Sequence, residues 1–87
     1  MKTIWKFPLE PRNHSAIEMP KGARIIAVQT QQDEVCLWAL LDSEEKGKKI
    51  RKFAIFGTGH HIADLEGKKY IGTVQQSSGL VWHIFEE

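Results

Sequence analysis

Eighty-seven residues set the size of one domain with a single thin core. Hydrophobic residues at 41% and charged residues at 26% are the composition of a folded globular chain and speak against intrinsic disorder. Twelve Lys and Arg against eleven Asp and Glu leave a net charge of +1, which speaks against a chain held to nucleic acid by its overall field and leaves only a local basic patch open.

Taken in chain order, residues 2–9 alternate loosely and predict a first strand, which Pro8 ends or keeps at a sheet edge. The opening residues contain no apolar leader-like run, and no stretch approaches the roughly 18 apolar residues of a membrane span. A cytoplasmic location without a membrane partner is the expectation. Residues 15–19 form a weaker strand candidate before the Pro20-Lys21-Gly22 turn signal. Residues 23–31 are rich in β-branched types and predict a strand, with Gln32-Asp33 as the short connection to the next. That strand, 34–41, is apolar on both alternating faces and should be central and covered on both sides. It carries Cys36, the sole cysteine, as a buried and inert thiol.

Residues 42–49 read as a charged, solvated loop tip. Residues 50–56 resume strand character, and residues 62–68 have room for one helical turn around Ile62, Ala63, Asp64 and Leu65. Residues 69–75 and 80–86 predict two closing strands around a Ser77-Ser78-Gly79 hairpin loop. Five strands and two weaker candidates on short turns predict a single all-β domain over 1–87. Its architecture is a compact antiparallel sandwich or a small open barrel. No connection outside these loops is long enough for a parallel crossover.

The densest constellation follows Phe56: Gly57, Thr58, Gly59, His60 and His61. Two glycines let the backbone approach a ligand closely, and successive amides in such a turn can form a nest for a phosphate or carboxylate beside the Thr58 hydroxyl. The same residues also suit a plain tight turn, and the third glycine, long helix and distal acid of a dinucleotide fingerprint are absent. His60 and His61 point to different sides of an extended backbone, so at most one shares the nest with Thr58. Four histidines (His14, His60, His61 and His83) lack the spacing of a metal site, so neither a metal nor another cofactor is expected. A triad drawn from Ser77 or Ser78, His83 and Glu86 has no nucleophile elbow, and His83 suits a structural, hydrogen-bonded role. Catalysis is therefore not expected.

Trp5, Trp38, Trp82, Tyr70, Phe53, Phe56 and Phe85 are more ring surface than a thin core must hide. Tyr70 and Trp82 are the rings chosen for a stacking surface. Arg24, beside the Gly22 turn with Lys21, and Arg51, beside Lys52 on the strand leading to Gly57, are the basic groups available to an anion.

The segments 2–9, 17–23, 36–40 and 56–60, together with Tyr70-Ile71-Gly72-Thr73 and Val81-Trp82-His83-Ile84-Phe85, resemble a family of short proteins encoded by bacteriophages and prophages. The resemblance covers nearly the whole chain and brings no activity or catalytic residue with it. It implies a phage protein made in the host bacterial cytoplasm during infection. Two roles suit that setting: a homo-oligomeric sponge that sequesters an anionic small molecule, above all a nucleotide immune signal, or an inhibitor that docks on a host defence protein. A structural or accessory phage protein without a small ligand is the third.

Overall fold

The computed structural model describes residues 1–87, and all of its regular structure is strand. Seven strands follow one another: β1 (Lys2–Pro8), β2 (His14–Pro20), β3 (Arg24–Gln31), β4 (Glu34–Asp42), β5 (Lys48–Gly57), β6 (Lys69–Gln75) and β7 (Val81–Glu86). They form two antiparallel sheets, one of three strands in the order β1-β4-β3 and one of four in the order β2-β5-β7-β6. The sheets pack face to face and do not close into a barrel; the shortest extent is 15 Å, room for two layers about 10 Å apart.

Period-two alternation decides which residues enter the core. On β4, Val35, Leu37, Ala39 and Leu41 all face inward and are buried. Phe53 and Ile55 of β5, Ile84 of β7, Val74 of β6 and Met19 of β2 meet them from the other sheet. Each fully buried large side chain contributes about 1.5–3 kcal/mol. The short strand β2 is held through full-length pairing with β5, from His14 opposite Ala54 to Pro20 opposite Lys48. Its proline is tolerated because β2 is an edge strand.

Cys36 lies on the outer face of β4, yet it is fully buried. The Lys6 ammonium on β1 donates to Gln31 Oε1 on β3 at 2.8 Å, which straps the two strands across this face. Burial pushes the Cys36 thiol above its ordinary value, the direction expected when the thiolate is denied water.

Two features lock the sheets together. At one end, Gln32 and Asp33 both take positive φ (50° and 67°), the conformation of a two-residue hairpin turn. The Asp33 carboxylate accepts from the Ser77 amide at 2.6 Å and from its hydroxyl at 3.0 Å, pinning the β6–β7 hairpin to the β3–β4 hairpin. Along one side, β3 and β6 come closest of any strands from different sheets. Each is bulged there, between Ile25 and Ala27 and between Tyr70 and Gly72. Gly72 permits the approach, since a Cβ on it would lie 2.5 Å from Val28 Cγ1.

The helical turn expected within 62–68 does not form. Asp64 Oδ1 instead accepts from the Glu66 amide at 2.8 Å, a local bond that competes with helix, and Gly67 takes φ 76°. Strand β5 also starts earlier than expected, at Lys48, because Lys48 and Lys49 pair with Pro20 and Met19 of β2.

Candidate functional site

Residues opposite one another in an antiparallel pair share a face. The registers of β5, β7 and β6 therefore place Phe56, His83 and Thr73 in one row across the outer face of the four-stranded sheet, with Phe85 and Tyr70 in the next. Thr58 continues from the end of β5 toward the same face.

These side chains make one connected chain. Thr58 Oγ1 lies 2.7 Å from His83 Nε2, His83 Nδ1 lies 3.1 Å from Thr73 Oγ1, and Thr73 Oγ1 lies 2.6 Å from the Tyr70 hydroxyl. Beside it runs a row of rings: Phe56 meets Phe85 edge-on at 6.0 Å, and Tyr70 meets Phe85 edge-on at 5.5 Å. Tyr70, near the start of the edge strand β6, is 55% exposed, so its ring faces solvent. Next to Phe56, the segment after Thr58 curls over the sheet and encloses an open pocket of about 300 Å³ that includes Asn13, His14, His61, Asp64 and Lys68. A second shallow depression, about 360 Å³, continues along the same sheet past His14 to Lys52 and Glu87.

The residues singled out in the sequence divide between several places. Thr58, Tyr70 and His61 reach this face. Gly57, Gly59 and His60 build a β-turn: the His60 amide donates to Gly57 O at 3.0 Å, and Gly59 takes φ 87°. The Gly57 amide donates to His60 Nδ1 at 3.3 Å and the Thr58 amide to Val81 O at 3.2 Å, so the amides of Gly57, Thr58 and His60 already have partners and do not converge as a nest. The His60 ring covers Gly57 and stands edge-on to Trp82, 6.3 Å away.

Trp82 is not beside Tyr70. It pairs with Val74 on the inner face, packs against the core, and donates from Nε1 to Gln76 Oε1 at 2.9 Å. Arg51 also points inward, where it donates to both Glu86 carboxylate oxygens and to the Ala23 carbonyl. The Glu86 carboxylate raises the Arg51 guanidinium above its usual value. Arg24 lies on the other sheet, opposite Leu40. The paper triad does not assemble either: Ser77 serves Asp33, Glu86 serves Arg51, and His83 stands between threonines.

Sequence reading missed His83, Thr73, Phe56 and Phe85 as members of one surface. The signal was present in the alternation of Val81, His83 and Phe85 opposite Ile84 and Trp82. It acquires meaning only when the register with Thr73 and Phe56 is known.

The whole chain, residues 1–87, matches a family described as a domain of unknown function, DUF7352. The chain belongs to that family. No curated protein and no solved structure matches it. It has no helix long and apolar enough to cross a membrane.

Proposed function

We propose that this chain is a small binding protein that holds an anionic small molecule, above all a nucleotide, on the outer face of its four-stranded sheet and releases it unaltered. The observation that carries this reading is a row of rings, Tyr70 exposed and Phe56 and Phe85 half-buried, beside a connected chain of hydroxyls and imidazole. A base stacks on an exposed ring such as Tyr70 regardless of its identity, a contact of about 1–3 kcal/mol. Thr58 and Tyr70 offer hydrogen bonds at the two ends of the chain, Lys52 and Lys68 at the neighbouring depressions supply the cationic partners for phosphate, and the His14 and His61 ring nitrogens line the same depressions as further hydrogen-bonding groups. In the phage setting that the family resemblance implies, such a protein works in the host cytoplasm as a sponge for a nucleotide immune signal. A homo-oligomer sets two such faces around one ligand.

A second reading rests on the other sheet. Ile4 and Ile26 are 52% and 47% exposed, and Trp38 and Leu40 beside them on the outer face of β4 are half-buried. That apolar surface suits docking on a host defence protein.

Native mass spectrometry of the purified protein with a panel of linear and cyclic nucleotides separates the two. Retention of an intact nucleotide, lost in Thr58→Ala and Tyr70→Ala, supports the ligand face. A hydrolysed ligand overturns the non-catalytic reading, and retention of nothing transfers the weight to the apolar sheet.

A further inference from the structure

The chain Thr58–His83–Thr73–Tyr70 has a property that follows from counting its protons. A neutral imidazole has one donor and one acceptor nitrogen, and each hydroxyl has one proton to give. If Nδ1 carries the proton, it donates to Thr73, Thr73 donates to Tyr70, and the Tyr70 hydroxyl is free to donate outward. Nε2 then accepts from Thr58, which leaves Thr58 Oγ1 as an outward acceptor. If Nε2 carries the proton, every bond reverses: Thr58 donates outward and Tyr70 accepts. With His83 neutral, the two ends always present one donor and one acceptor.

Protonation changes this rule. Both ring nitrogens then donate, both threonines accept from the ring, and Thr58 and Tyr70 are both left with a proton directed outward. Two outward donors flanking a cation match an anion.

We infer that this chain is the specificity element of the ligand face, and that it couples binding of a phosphate-bearing ligand to proton uptake by His83. The inference rests on the ligand face proposed above. His83 and Thr73 are its new members, His83 as the group that changes state and Thr73 as the positioning residue that passes the change to Tyr70. The surroundings leave the ring free to respond. His83 is half-buried, its two nitrogens touch only hydroxyls, and no carboxylate or ammonium is bonded to it. On its own strand the same-face neighbours are Val81 and Phe85, on β5 Phe56, and on β6 Thr73 and Gln75, with Tyr70 the titratable group in the chain itself. Beyond Phe56 lie His14, His61, Asp64 and Lys68, and toward the far end of the sheet Lys52 and Glu87.

Two measurements test this, the first without any ligand. Nitrogen-15 spectra of the histidine rings report the tautomer of His83 directly. Tyr70→Phe touches neither ring nitrogen, yet removing the last hydroxyl shifts the tautomer balance of His83 if the chain is coupled. A ring that keeps its balance in Tyr70→Phe and in Thr58→Val overturns the coupling, whatever the face binds. The second is calorimetric titration with adenosine diphosphate at pH 6 and pH 8. Expected is tighter binding at the lower pH, by up to about tenfold per pH unit for one linked proton, with protons taken up on binding. His83→Gln keeps one donor and one acceptor but cannot charge, and its affinity changes less than about twofold across the same range. Equal wild-type affinity at the two pH values, or a slope that survives in His83→Gln, overturns the inference. Absence of adenosine diphosphate binding at both pH values counts against the nucleotide reading, and the ring spectra then decide the coupling alone.

Discussion

The four-stranded sheet carries two polar networks, one on each face, and they are built for opposite ends. On the inner face Arg51 and Glu86 are 15% and 19% exposed, doubly bonded, and closed off by the Ala23 carbonyl. Each of the three Arg51 nitrogens donates to a fixed acceptor, so this network holds shape. On the outer face, Thr58, His83, Thr73 and Tyr70 are all linked to each other, but the hydroxyls at both ends keep unused capacity facing solvent. A network that terminates in protein stabilises; one that terminates in solvent keeps hydrogen bonds free for the ligand proposed above.

Substitutions on the two faces break this contrast in different ways. Arg51→Met leaves the Glu86 carboxylate half-sheltered without its partner, and about 3 kcal/mol of stability is lost in urea unfolding while nucleotide retention is unchanged. Recovery of part of that loss in the double variant Arg51→Met, Glu86→Leu identifies the unpaired charge as its cause. Thr73→Val is the reverse case. It costs no more than about 1 kcal/mol by the same assay, because the outer hydroxyls are exposed, but weakens adenosine diphosphate binding at least about tenfold by calorimetry. A Thr73→Val protein that unfolds as readily as Arg51→Met would erase the distinction between the faces.

Cys36 offers a smaller and intermediate case, an outer-face group sealed by its neighbours. Its thiol titrates higher in the folded than in the unfolded chain, so the contribution is present below the ordinary thiol range and is lost as pH rises through the folded value. Melting temperature accordingly falls more between pH 9 and pH 11 in the wild type than in Cys36→Ala, by a few degrees at most. Lys6→Ala removes the strap over this face, and the rate of Cys36 modification by a thiol reagent rises by roughly tenfold or less.

The all-β architecture was legible because alternation is strong in β4, β5 and β7, where inward positions hold Val35, Leu37, Phe53, Ile55 and Ile84 in near-perfect period two. β2 was less legible because it is an edge strand whose order comes from pairing with β5, a long-range fact. The segment 62–68 was misjudged because Ile62 and Leu65 suggested an apolar helical face, while Asp64 had a better local bond to make. The site was only partly legible for a related reason. Gly57, Thr58, Gly59 and His60 announce a turn, which they form, but a turn motif does not reveal whether its amides remain free. His83 and Thr73 are ten residues apart in the chain and meet only through the β6–β7 register. Trp82 and Tyr70 looked equivalent as surplus rings, but the bulge between Tyr70 and Gly72 puts Tyr70 on the same face as Thr73, while alternation along β7 turns Trp82 to the opposite face from His83.

The contact of Gly72 with Val28 makes the molecule resemble a bound book, with β3 and β6 as its spine and β1 and β2 at the loose fore-edge. Opening fluctuations are therefore graded across the fold, and amide protons of β1 and β2 exchange with solvent before those of β6 and β7. The leaf that carries Tyr70 and Thr73 is the one stitched to the spine. The ligand proposed for that leaf would find its hydroxyls already in position and would spend little of its binding energy on quieting them.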